Sequence, residues 1–431
     1  MGRTEGPSRP PVAQTAAPGV SRPPKAHVRR WSTPPALADR AYARLFAGMA
    51  ASNTGGWMQA TAVPFVIYRM TGRASWLGAS ALATSLPAGL LTPLAGHLAD
   101  RYRRRQLLMV GQAIQLSVAV GLYAVWVTGW RQPGVLVGLV GIDGLAAGTQ
   151  YAAWTAFTAD VVEPGSLQSA YALGGVQYNL ARVLGAGVAG LTLASLGPAP
   201  TFALNAVSFL PLLGALAVTR GRSAGAPGEA GTPLRMGAGW RAAAKAVRGD
   251  PVLRRALGLV WVMAAISLQL LVLAPVLVLH HLHGGARAYG LVVAAYAAGS
   301  ATSAAVISTR PGVSRGGRLG VLVCASATAT AALTHSVTVA AVAAAAAGGA
   351  YMVAVTPAGT RAQLRAPEAL KGRVAALRQA AFTGGYPLVA AGATRMADAV
   401  GVLITLLVVA GVVASIGTPL AAATDAGAGA G

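Results

Sequence analysis

The feature that most constrains this chain is repetition: from about residue 45 almost to its end, mostly apolar stretches follow one another with short polar breaks. Each is about 20 residues, which at about 1.5 Å per helical residue crosses a bilayer core about 30 Å thick. Twelve are counted, approximately over 45–69, 75–97, 106–129, 133–157, 168–195, 199–219, 256–279, 287–308, 319–336, 338–360, 372–396 and 399–421. Apolar residues make up 55% of the chain and charged residues 10%, against about 25% charged in soluble domains. Lipid is therefore the expected solvent for most of it. Spans of this length must satisfy their own backbone groups, so the fold expected is all-α and integral to the membrane, with twelve transmembrane helices.

Residues 1–40 read as a disordered, basic, Pro-rich cytoplasmic tail, with Arg9, Pro10, Pro11, Arg22, Pro23, Pro24, Arg29, Arg30, Pro34 and Pro35. No apolar stretch there ends in a small-residue cleavage site, so the first span is expected to direct insertion. A second polar interval, 220–255, reads as a cytoplasmic linker. It separates an N-terminal six-helix bundle over 41–219 from a C-terminal one over 256–421, with 422–431 left as a short cytoplasmic tail. Internal echoes support the division. PFVIYRMTGRASWLG from Pro64 is echoed by PVLVLHHLHGGARAYG from Pro275, and EPGSLQSAYAL by APEALKGRVAAL, where Pro164 and Leu167 correspond to Pro367 and Leu370. Two pseudo-symmetric six-helix bundles are the expected architecture. Repeats of this length are what alternating-access transporters use, with a site near the midplane between the halves.

The net charge of +23 raises the question of nucleic acid. Its placement answers otherwise. With the N-terminus in the cytoplasm, 27 of the 34 Lys and Arg fall in cytoplasmic segments, and only Arg69, Arg73, Arg131, Arg287 and Arg395 at outer ends. This is the positive-inside pattern of an inner-membrane protein with both termini cytoplasmic. The tail lacks interleaved aromatics or a recognition motif, so no nucleic-acid partner is expected. The one cysteine, Cys324, lies in the ninth span and has no partner in the chain for a disulfide.

The most specific local signal is GHLADRYRRRQLL, which begins at Gly96 in the turn between spans two and three. Gly96, Leu98, Ala99, Asp100, Arg101, Arg104 and Arg105 match the signature that the major facilitator superfamily carries at this turn, and the sequence resembles that family. Arg103 replaces its usual glycine. The physical expectation is that Gly96 permits close helix approach while Asp100 faces a helix N-terminus and pairs with arginines, latching the cytoplasmic side. Alternatively, the arginines only set topology. Asp160 and Glu163, after span four, are expected to pair with the cluster. The corresponding turn of the later half, STRPGVSRGGRLG from Ser308, has bases and no acid, so the latch is expected to be asymmetric.

Further segments narrow the resemblance. SNTGGWMQATAVPFVIYRMTG from Ser52, Ser85-Leu86-Pro87, NLARVLGAGVAG from Asn179, FALNAVSFL from Phe202 and PEALKGRV from Pro367 are similar to the branch with the enterobactin exporter and macrolide efflux proteins. That branch is the third drug:proton antiporter group. The resemblance covers about residues 40–420 and implies a monomeric efflux transporter without cofactor. One departure is that Gly185 is followed by Ala186 where the superfamily's antiporters carry proline. Gly185, Gly187 and Gly190 still suit tight helix packing.

Charges inside a bilayer are costly and are functional candidates for that reason. Asp143, in GIDGLAAG, lies about 15 Å into span four and Arg182 at similar depth in span five; Arg378 lies closer to the cytoplasm in span eleven. Three roles stand open for Asp143. It gains and loses a proton with Arg182 tuning it, or forms a permanent ion pair with Arg182, or faces a water-filled vestibule without coupling. Asn53, Gln59, Gln177, Asn179 and Asn205 either line a cavity or bridge helices. His280, His281 and His283 form an outer cluster that is solvated, pH-sensing or metal-binding.

No phosphate-binding loop and no catalytic constellation is present, so neither an enzyme nor ATP-driven transport is expected. Three functions remain: proton-coupled export of a small amphiphilic molecule such as a drug, metabolite or siderophore, import of a small solute, or a non-transporting membrane sensor or scaffold. The substrate's identity is dispersed over many spans and is not legible.

Overall fold

The structure, a computed structural model, describes residues 2, 34–219, 236–309, 316–367 and 370–426. Among them there are helices and no strand. Twelve helical rods follow the twelve apolar stretches. They are α1 Arg40–Thr71, α2 Ser75–Arg101, α3 Arg104–Val127, α4 Pro133–Val161, α5 Leu167–Ser195, α6 Pro198–Val218, α7 Pro251–His281, α8 Ala286–Thr309, α9 Gly317–Leu333, α10 Val337–Arg365, α11 Lys371–Val400 and α12 Val402–Asp425. Among the described residues, α3, α6, α7, α8, α10 and α12 are each long and apolar enough to cross a membrane alone, and α4 makes a seventh if its bent halves count as one span. Helical structure continues from α12 to Ala426, so the start of the segment 422–431 belongs to the last rod.

Local chemistry sets the ends. The Asp39 carboxylate accepts the N–H groups of Ala41 at 2.7 Å and Tyr42 at 3.3 Å and so caps α1, which closes at Gly72 in the left-handed region at φ 64°. A linker helix, Met236–Gly249, runs up to Asp250, which caps α7 by accepting from Val252 and Leu253 ahead of Pro251 at the first helical position. Arg365 adds a 3.0 Å ion pair to Asp250. Partial burial would raise this carboxyl, but the Arg365 hydrogen bond and the two backbone N–H groups outweigh it and hold it below the ordinary carboxylate range. The α7 rod is irregular, with π-helical turns at Met263–Ser267 and Leu277–His281, as is α12 at Val413–Gly417.

Within the first half α2 packs on α4, α3 on α4 and α6, and α1 on α5 and α6; within the second α8 and α9 pack on α10, and α9 also on α12. The halves meet through two helix pairs, α5 with α8 and α2 with α11. Helices α8 and α11 are the second and fifth of their half, so the two pairs are one arrangement seen from either side of a two-fold axis. The echoed segments supply the contact residues. A Cβ on Gly290 would lie 2.5 Å from the Gly190 Cα, and one on Gly78 would lie 2.9 Å from the Ala391 Cα. Glycine at these places lets the backbones touch.

These contacts lie at the end of the bundle away from Arg101–Arg105. That end is the far end, and the opposite one the basic end. One continuous apolar cluster runs through both halves, from Phe65 and Ile67 through Leu122, Leu136 and Phe202 to Met263, Leu273 and Tyr289. Among the described residues two smaller clusters lie toward the basic end, Tyr42, Leu45, Leu108, Phe157 and Leu216 in the first half and Leu253, Leu257, Ala362 and Val374 in the second, where the main cluster also reaches that end through Leu259, Val321, Ala358 and Ala421. Meanwhile Leu191, Val207 and Val342 are each more than half exposed on the outside of the rods, as a lipid-facing surface requires.

Candidate functional site

Midway along the rods the two halves converge around Arg182. Gly185 sets this up: a Cβ there would sit 2.6 Å from the Thr54 carbonyl oxygen and from the Trp57 Cβ, so α5 lies directly on α1. Arg182, one turn earlier, thereby lies over the Trp57 ring at 5.6 Å and over the Tyr296 ring of α8 at 5.9 Å. Its Nη2 is buried and has no hydrogen-bond partner. Helix α5 runs unbroken through Gly185-Ala186, as the missing proline implies. Of the three glycines expected to pack, Gly185 and Gly190 do. Gly187 does not, because two residues from Gly185 is about 200° around a helix, and a Cβ at Gly187 would meet nothing within 4 Å.

The structure does not bring Asp143 to Arg182. Helix α4 packs against α2 and α3 while α5 packs against α1 and α8, so similar depth puts the two charges on different interfaces. The Asp143 carboxylate instead has the Gln115 side chain as its polar neighbour. That amide belongs to a network absent from the sequence expectations. Ser52 donates to Gln112 at 3.0 Å, Gln112 donates to Gln115 at 3.1 Å and to Gln150 at 2.7 Å, and Gln150 donates to Gln115 at 3.0 Å. It ties α1, α3 and α4 together beside the acid. Its signal in the sequence was three glutamines within apolar spans, two of them at helical spacing.

The other polar candidates bridge helices or fold back. Asn53 donates to Gln177 at 3.0 Å, and Gln177 to the Met49 carbonyl, joining α1 to α5. Asn205 donates to Gln59 at 2.7 Å, joining α6 to α1. Asn179 donates to the Gly175 carbonyl of its own helix. Arg378 lies against Gly359 of α10, and its Nε is buried without a partner. At the far end His281 stacks on His335 with centroids 4.9 Å apart, and among the described residues no group of three or more His, Cys, Asp or Glu could hold a metal.

At the basic end Arg104 Nη1 donates to both Asp160 oxygens at 2.7 Å, and Arg105 Nε reaches the Leu216 carbonyl at 2.6 Å, satisfying the end of α6. Arg101 is exposed. The surroundings of Gly96 and the side chain of Asp100 lie outside what the structure describes. The second half has its own acid after all: Asp425, from the end of α12, pairs with Arg361 of α10 at 3.3 Å and accepts the Arg318 N–H at the start of α9. The ion pairs Arg104–Asp160, Arg361–Asp425 and Arg365–Asp250 each stay within one half or its linker.

One acid does join the halves. Asp398, two residues beyond the stretch 372–396 of α11, accepts the N–H groups of Ala74 at 2.5 Å and Ser75 at 2.9 Å, and so caps α2 across the far end. Burial would raise its carboxyl, but the Ser75 side chain, those two N–H groups and the Arg73 charge prevail and hold it low. A carboxyl lowered in this contact strengthens it above the ordinary carboxylate range and loosens it only when pH falls through the lowered value. Sequence reading passed over Asp398, since its partners are more than 300 residues away and nothing local marks it.

The family described as transmembrane secretion effector matches residues 32–423. A multidrug efflux pump, Tap, of Mycolicibacterium fortuitum is 30% identical over 189 residues, which are 42% of this chain and 46% of that protein. The pump of the same name from Mycobacterium tuberculosis strain H37Rv is 28% identical over 200 residues, 45% of this chain and 47% of that protein. The chain thus spans about half the length of the curated relatives it matches. Among solved structures, a point mutant of the nucleoside transporter NupG shares the fold with TM-score 0.72 at 10% identity, covering 88% of this chain and 97% of that one.

Proposed function

Because the chain belongs to the transmembrane secretion effector family of the major facilitator superfamily, we propose that it is a secondary active exporter of a small amphiphilic molecule, driven by protons and working by alternating access as a monomer. The family is one of transporters, not enzymes. The observation that carries the reading is where the two halves are tied together. At the far end Gly190 meets Gly290, Gly78 meets Ala391 and the Asp398 carboxylate caps α2, whereas at the basic end the ion pairs Arg104–Asp160 and Arg361–Asp425 each stay within one half. A bundle whose cross-half ties gather at one end suits rocking about a midplane site. The clustering of basic residues supports a cytoplasmic basic end and cytoplasmic termini, in the inner membrane of a bacterium. The export direction draws on the two Tap pumps.

Asp143 is the proposed proton carrier, now partnered by Gln115 and not by Arg182. Gln115 can donate to the ionised acid or turn to accept from the protonated one, so the network accommodates both states. The test is accumulation of a panel of dyes, macrolides and siderophores in an efflux-deficient bacterium expressing wild type or Asp143→Asn, with and without a protonophore. Lowered accumulation that both the substitution and the protonophore abolish, at equal expression, is the expected result. Export indifferent to Asp143→Asn removes the acid from the mechanism; raised accumulation makes the protein an importer.

A further inference from the structure

We propose that Arg182, together with the hydroxyls of Tyr296 and Tyr351, forms a subsite that binds an anionic group of the transported molecule, a carboxylate or equivalent oxyanion. The inference rests on the exporter reading only for the word transported; the binding chemistry stands on the structure.

Three buried donors in that region lack an acceptor. Arg182 keeps a buried Nη2 unpartnered. Tyr296 on α8 and Tyr351 on α10 are 1% and 3% exposed, yet neither hydroxyl has a hydrogen-bond partner. The Arg182 charge acts on both hydroxyls, so all three groups share one locality. A buried polar atom left unmade is costly, and three in one place mark an absent acceptor more readily than three independent faults.

The charge balance says what the acceptor is. Stacking on Trp57 and Tyr296 eases the burial of the guanidinium but leaves its N–H groups unused. Asp143, the acid within reach in depth, lies beside Gln115 on another interface. A cationic ligand would meet repulsion from Arg182; an oxyanion would meet a fixed charge and two neutral donors. Space is present beside Trp57, since a Cβ on Gly56 would meet nothing within 4 Å and Ala60, a turn further, is exposed. The subsite is also one-sided. Gly385, 203 positions after Arg182 and thus its counterpart in the echo, packs against Trp261 and carries no charge. One half supplies the cation and the other the hydroxyls, so the group is assembled only where both halves meet.

The experiment uses the full chain purified into lipid nanodiscs and two probes that differ in one charge, dansylglycine and its methyl ester, read by energy transfer from tryptophan to dansyl. Wild type is expected to bind the acid about tenfold or more tightly than the ester. Arg182→Gln should erase that preference, and Arg182→Lys should keep part of it. Tyr296→Phe and Tyr351→Phe should each weaken the acid by about tenfold and leave the ester unchanged. If Arg182→Gln does not accumulate, the two Phe variants, which remove only a hydroxyl, carry the test. Equal binding of acid and ester, binding of neither, or a preference that survives these substitutions overturns the subsite. Efflux of the same pair separates the two readings: binding without efflux sinks the exporter and leaves the subsite, whereas efflux indifferent to Arg182 sinks the subsite and leaves the exporter.

Discussion

Gln112 shows what a single polar side chain does where lipid surrounds the rods. It is 8% exposed, accepts from Ser52 and donates to Gln115 and Gln150. Gly111 beside it leaves the room that Gln150 occupies, since a Cβ there would sit 2.6 Å from the Gln150 amide carbon. Replacing Gln112 by Ala strips partners from the Ser52 hydroxyl and the Gln150 oxygen, at about 1–3 kcal/mol for each buried group left unmade. We expect a lower thermal unfolding midpoint for Gln112→Ala in detergent, with a smaller effect for Ser52→Ala, which removes a donor and its need together. Equal midpoints for wild type and Gln112→Ala would mean that water replaces the amide and that the network is not dry. At this scale the residue types were legible in the sequence but their pairing was not. Asp143 and Arg182 stand at matched depth, and depth is a one-dimensional coordinate; which side of the helix each faces, and which helix stands there, is set by packing.

At the level of elements, the far-end contact depends on backbone meeting backbone. Gly190 and Gly290 bring α5 against α8, while Gly187 on the other face of α5 borders open space. Gly290→Val would force apart the joined end and favour the arrangement in which that end is open. The expected outcome is greater labelling of a cysteine placed at the far end by a membrane-impermeant maleimide, in a background where Cys324 is replaced. Gly187→Ala should change nothing. Labelling that is equal in both variants would show that the contact does not hold the end shut. Two glycine-bearing echoes in the sequence pointed to repeat structure, yet only the packed helices reveal that Gly290 of one echo touches Gly190, and that Gly78 of the other faces Ala391. Asp398 belongs to this contact too, as the polar clasp beside the glycines.

For the whole molecule, topology is the testable quantity. A cytoplasm-active reporter fused after Ala426 is expected to be active, and the same reporter inserted at Gly129, in the turn between α3 and α4, inactive. The reverse pattern would turn the basic end outward and with it the reading of export. The sequence by itself determined that this chain is a bundle of twelve apolar helices in two related halves, because span length and charge asymmetry are local properties that the bilayer reads directly. It also singled out the few charges placed within spans. Only the tertiary structure decided which of them meet. It separated Asp143 from Arg182, gave the second half its acid from Asp425 at the far end of the chain, and set Arg182 before two tyrosines of the opposite half. The physical reason is that helix–helix contacts in lipid come from shape and small residues spread along faces, with little hydrophobic pattern to betray the partner.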